Sequence, residues 1–136
     1  MKRTATAHWA GTGKDGSGHL TTDSKTLNAT PYSYLSRFES GAGTNPEELI
    51  AAAHAGCFTM KLTFLLSSAG FTATTLDTQC AITLENGKVT SSQLQLVAQV
   101  AGISQDKFEE LANEAKLNCP ISQLLNTTIN LSYTLS

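Results

Sequence analysis

The stretch from Asn45 to Gly70 constrains the fold of this chain more than any other. Asn45-Pro46-Glu47-Glu48 reads as a helix start. Asn45 can serve as N-cap, Pro46 sits at the first helical position where its missing N–H costs nothing, and Glu48 can complete a capping box. The helix is predicted to run to Ala69 and to stop at Gly70. Leu49, Ala53, Cys57, Met60 and Phe64 form one apolar stripe along it; Ile50, His54, Phe58, Leu62 and Leu65 form a second beside it. A helix apolar over most of its circumference cannot lie on the surface of a small monomer. It is therefore expected to be central to the domain and also packed against a second subunit. A membrane span is not expected, because His54, Thr59, Lys61 and Thr63 interrupt the apolar run.

The rest of the chain supplies strands. With 136 residues, 40% of them hydrophobic, one domain covering 1–136 is expected. Before the helix, Thr4 to Trp9, a glycine-rich turn, His19 to Asp23 and an extended piece near Ser33 to Phe38 read as an antiparallel meander. After it, Leu76, Thr78, Cys80, Ile82 and Leu84 alternate with Asp77, Gln79, Ala81, Thr83 and Glu85, the pattern of a half-buried strand. Asn86-Gly87 signals a type I′ hairpin, and Leu94, Leu96, Ala98 and Val100 mark the apolar face of the return strand. Ser104 then caps a helix through Lys116, followed by a short helix from Pro120 to about Leu125 and a last strand, Thr127 to Leu135. The class is α+β.

Charge narrows the partners. The net charge is −2 and the few Lys and Arg residues are scattered, so neither nucleic acid nor an anionic membrane surface is an expected partner. Met1-Lys2-Arg3 is not followed by an apolar stretch of the kind an export signal needs, so a cytoplasmic location is expected. In such a reducing compartment the three cysteines are expected to be buried, metal-bound or redox-active rather than a disulfide framework.

Cys57 and Cys119 stand about sixty residues apart, without the short CxxC spacing of a thioredoxin-like site or the doubled spacing of a zinc site. Cys119 precedes Pro120 and so falls at the N-cap of the short helix, where free N–H groups and the helix dipole favour a nucleophilic thiolate. It also reads as a buried cysteine that merely ends the preceding helix. Cys57 lies inside the long helix, so its activation needs a charge brought by the fold, such as Arg37. His54, one turn before Cys57, is either a base for it or a packing residue. Arg37 and Glu47 can form a bidentate pair that holds the guanidinium near a thiolate or a peroxide, or they are two surface charges. Cys80, among Leu76, Ile82 and Leu84, reads as core filler. The glycines of Gly11 to Gly18 lack the strand-to-helix context of a nucleotide site, and a zinc site from Cys57, Cys119 and His54 lacks paired-ligand spacing.

Taken together, Arg37-Phe38-Glu39, Gly43-Thr44-Asn45-Pro46-Glu47-Glu48-Leu49-Ile50, Ala52-Ala53-His54-Ala55-Gly56-Cys57-Phe58 and Cys119-Pro120-Ile121-Ser122-Gln123 resemble the OsmC and organic hydroperoxide resistance family. The likeness extends from Ala7-His8-Trp9 to Leu131-Ser132-Tyr133. It implies an OsmC-like α+β fold of antiparallel sheets with a long buried central helix, in an intertwined homodimer. It implies a thiol-dependent peroxidase acting on organic hydroperoxides and, less well, on hydrogen peroxide, with no metal, haem or flavin. Cys57 matches the family's attacking cysteine and Cys119 its resolving cysteine, joined as a disulfide during turnover. Arg37 and Glu47 match its activating pair, reached from across the dimer interface. An external dithiol, a dihydrolipoyl group, is the implied electron donor. The competing classes are a thiol redox sensor and a small-molecule carrier using the apolar dimer cleft. Gly56 stands where members of the family commonly have Ala.

Overall fold

The glycine-rich turn after Ala10 lets the N-terminal residues pair with themselves. In the computed structural model, which describes residues 1–136, strands β1 (Ala5–Ala10), β2 (Ser17–Thr22) and β3 (Thr30–Tyr32) form an antiparallel sheet in that order. The expected meander is present, but its last piece is not extended. Tyr34–Phe38 is a short helix, α1. Ser33 and Ser36 explain it, because each side chain hydrogen-bonds the other's backbone N–H, at 3.2 and 2.8 Å, in a reciprocal capping box. These elements belong to the first of two compact units, Met1–Leu49, and the second is Ile50–Ser136.

The long helix α2 spans Pro46–Ser68. Asn45 Oδ1 accepts the Glu48 N–H at 2.8 Å, as an N-cap should. Glu48 does not complete the capping box; its carboxylate accepts from the Thr44 hydroxyl at 2.9 Å instead. At the other end Gly70 takes φ +87°, and the Phe71 and Gly70 N–H groups bond the Leu66 and Ser67 carbonyls, closing the helix with a Schellman motif. By length and mean hydropathy, 1.6, α2 could cross a bilayer, yet it buries His54, Phe58, Leu62 and Leu66 within the protein. The stripe that carries Met60 and Phe64 is open, with those residues 63% and 64% exposed.

In the second unit β4 (Ala73–Glu85) and β5 (Lys88–Val100) form a long hairpin. Its turn has Asn86 and Gly87 both at positive φ, as a type I′ turn requires. Helices α3 (Gln105–Asn118, capped by Ser104) and α4 (Pro120–Leu124) follow, then β6 (Thr128–Leu135). The expectation of antiparallel sheets fails at β6, which runs parallel to β5. The chain leaves β5 and returns through α3 and α4, and such a crossover brings it back in its original direction. Leu94, Leu96, Ala98 and Val100 on β5 join Phe58, Leu62 and Leu66 of α2 and Phe108, Leu111, Ala112 and Ala115 of α3 in one apolar core. That core fixes the positions of α2 and the α3–α4 junction, the two places that carry the cysteines of interest.

Candidate active site

In the first unit, Glu47 occupies the second position of α2 and Arg37 the end of α1. Arg37 Nη2 lies 2.7 Å from Glu47 Oε1, and Nε lies 3.1 and 3.2 Å from the two carboxylate oxygens, a bidentate pair as the sequence allowed. Burial pushes the Glu47 carboxyl up, but the Arg37 hydrogen bond, a hydrogen bond from the residue's own backbone and the Arg37 charge together outweigh it and hold the group below its ordinary value. The same pair, through the Glu47 hydrogen bond first, raises the proton affinity of the guanidinium. Arg37 also lies over the Phe38 ring, 5.1 Å from its centroid. These contacts give the guanidinium a fixed place and an internal counter-ion.

In the second unit, all three cysteines are unpaired thiols. Cys119 is wholly buried and ends α3 while capping α4, and its Sγ accepts the Ser122 N–H at 3.3 Å. The N-cap position and the burial that the two sequence readings assigned to this residue are therefore both present. Cys57 is half-buried beside it. Burial pushes the Cys57 thiol up and the neighbouring Cys119 adds to the rise, while the backbone N–H of Ile121 opposes it. Within its own unit Cys57 lacks a cation to favour the thiolate.

His54 is not a base for Cys57. Its buried ring has both nitrogens occupied, Nδ1 2.6 Å from Ser92 Oγ and Nε2 2.8 Å from Ser122 Oγ. Burial lowers its proton affinity, which favours the neutral ring. Ser122 Oγ lies 3.1 Å from Cys119 Sγ, and Ser92 Oγ lies 3.3 Å from Cys80 Sγ. Cys80, read as filler, therefore ends a polar chain that runs through the core to Cys119, with its own thiol pushed up by burial. Sequence reasoning missed Ser92 and Ser122. A signal for Ser92 was present, since it falls on the inward face of β5 two positions before Leu94. Beside α2, Met60 and Phe64 with Leu76 and Val97 line an open groove of about 910 Å³ that also contains Gly56.

The fold and this site define an α+β thiol protein in which two helix-borne cysteines adjoin and a separate Arg–Glu pair is preformed. Residues 39–134 match the OsmC-like protein family, so the chain belongs to it. It is 44% identical to Peroxiredoxin OsmC of Escherichia coli K12, over 95% of this chain and 93% of that protein. Among solved structures, an organic hydroperoxide resistance protein from Elizabethkingia anophelis superposes with a TM-score of 0.67 at 25% identity, covering 100% of this chain and 97% of that one. An OsmC-like protein from Mycoplasma pneumoniae, at 15% identity, gives a TM-score of 0.78 over 99% of this chain and 97% of its own, and so shares the fold.

Proposed function

We propose that this chain reduces organic hydroperoxides, and hydrogen peroxide less well, to alcohols and water through Cys57 and Cys119. The enzyme class, a cysteine-based peroxidase, follows from the 44% identity to Peroxiredoxin OsmC across nearly the full chain. The observation that carries the mechanism is the adjacency of Cys57 and Cys119, two unlike thiols brought to the start of α4 from distant parts of the sequence.

The Cys57 thiolate attacks the outer peroxide oxygen; the S–O bond forms, the O–O bond breaks, and the alkoxide leaves as alcohol with a proton. Cys57 is then a sulfenic acid. Cys119 attacks its sulfur, expelling water and forming the Cys57–Cys119 disulfide. An external dithiol, a dihydrolipoyl group in this reading, reduces the disulfide by exchange. The chemistry resides in sulfur and needs no prosthetic group.

Arg37 is the activating cation in this mechanism, delivered from a second copy with Glu47 holding it in place. Such a charge offsets the burial that pushes the Cys57 thiol up. The homodimer is supported by the open apolar stripe of α2 and the Val97 of β5 beside it, because Met60, Phe64 and Val97 are more than half exposed in the single chain. One domain per chain and a cytoplasmic location complete the reading. The sensor and the carrier are its rivals. The deciding assay is consumption of cumene hydroperoxide and hydrogen peroxide with a dihydrolipoyl donor by the intact protein, Cys57→Ser and Cys119→Ser. Sustained turnover lost in Cys57→Ser is expected. Consumption of a single equivalent would favour a sensor, and activity surviving Cys57→Ser would exclude this mechanism.

A further inference from the structure

The chain of contacts Cys80–Ser92–His54–Ser122–Cys119 lies in the core, with His54, Ser92 and Cys119 fully inaccessible and Ser122 7% exposed. No buried side-chain polar atom in the protein lacks a partner. A neutral imidazole has one donor and one acceptor, and each serine hydroxyl has a single proton, so the two tautomers wire the chain in opposite directions, with a longer Cys80 Sγ–His54 Nδ1 contact of 3.9 Å alongside the Ser92 step. With the proton on Nε2, His54 donates to Ser122. The Ser122 hydroxyl must then donate to Cys119 Sγ, while Nδ1 accepts from Ser92 and Ser92 accepts from the Cys80 thiol. With the proton on Nδ1, His54 donates to Ser92 and accepts from Ser122, whose oxygen is then free to accept the Cys119 S–H.

We propose that His54 is a positioning residue for resolution, its tautomer setting, through Ser122, whether Cys119 is held as an acceptor ready to attack or as a thiol at rest. In the attacking arrangement Ser122 aims two donors at one sulfur, its hydroxyl at 3.1 Å and its backbone N–H at 3.3 Å, an environment that suits sulfur carrying negative charge. Depressed proton affinity keeps His54 neutral, as a two-way relay requires. The step balances without an outside reagent: the S–S bond forms and the sulfenic S–O bond breaks. The hydroxide leaves with the proton Cys119 gave up, and the Cys119 sulfur is oxidised as the Cys57 sulfur is reduced to the same level. This inference rests on the reading of Cys119 as the resolving thiol.

The test is single-turnover oxidation of the full chain by cumene hydroperoxide. Cys57 sulfenic acid is trapped with dimedone and read by mass spectrometry, and disulfide formation is followed by loss of free thiol. Ser122→Ala and His54→Leu should slow disulfide formation at least about tenfold, the scale of one charge-assisted hydrogen bond. Sulfenic acid formation should change by no more than about twofold, so trapped Cys57 accumulates. His54→Gln, whose amide can still donate to Ser122, should recover most of the rate, which a purely packing role would not allow. Should His54→Leu fail to fold, Ser122→Ala and His54→Gln carry the test. Disulfide formation at the wild-type rate in Ser122→Ala overturns the proposal. Absence of any Cys57 sulfenic acid in Cys119→Ser, where no second thiol intercepts it, overturns the peroxidase mechanism itself, and this role with it.

Discussion

Gly56 sits near the middle of α2, ten positions beyond Pro46, where its backbone freedom costs helix stability. A Cβ built there meets no atom within 4 Å, and the residue is exposed. Gly56 is also absent from the glycines with positive φ, so an L side chain fits the existing backbone. Gly56→Ala should therefore stabilise the chain by about 1 kcal/mol through propensity and reduced freedom of the unfolded state. For 136 residues that corresponds to a rise in Tm of about 4 °C. Urea denaturation followed by far-UV circular dichroism should show a higher midpoint with an unchanged slope. An unchanged or lower midpoint would refute the reasoning.

Phe58 is wholly inaccessible in the core, so Phe58→Ala should cost about 3–5 kcal/mol, measured by the same denaturation assay. The Glu47 carboxyl, held down by Arg37 against the effect of burial, should show by carbon NMR a titration midpoint below that of an ordinary glutamate and move up in Arg37→Met. The sign follows: with a depressed folded pKa, the pair stabilises the protein above the unfolded pKa, and that stability is lost as pH falls through the folded one. His54, with its depressed folded pKa, likewise contributes stability above its unfolded pKa of about 6.5 that is lost on acidification, so nitrogen NMR should find its ring still neutral just below pH 6.5. Phe64→Glu places a charge on the open stripe of α2 and should shift the protein toward monomer in analytical ultracentrifugation; an unchanged mass would remove that stripe from any subunit contact.

Local rules made much of this fold legible. Asn45, Pro46 and Gly70 bounded α2, Asn86-Gly87 gave the hairpin, and Ser104 and Pro120 opened the later helices, because caps and turns are decided by near neighbours. The Ser33–Phe38 segment was misread because a reciprocal serine cap outweighed a β-like composition. The direction of β6 was not legible at all, since strand pairing is chosen by the path of the intervening helices. At the site, residue types announced Arg37, Glu47, Cys57 and Cys119 through a family resemblance. The adjacency of the two thiols depends on the packing of α2 against the α3–α4 junction. Ser92 and Ser122 were overlooked because a serine is unremarkable until a buried histidine is found between two of them.

The parallel pairing of β6 with β5 also has a consequence for biosynthesis. Cys119 lies in the connection that this pairing closes, and β6 follows it in the chain. Pairing across so long a connection is slow compared with formation of the β4–β5 hairpin. In a newly made chain the connection that carries Cys119 stays open until β6 has been made and paired, so the juxtaposition of Cys119 with Cys57 is completed late. The meeting of the two thiols is thereby tied to the slowest pairing in the fold rather than to the residues around either sulfur.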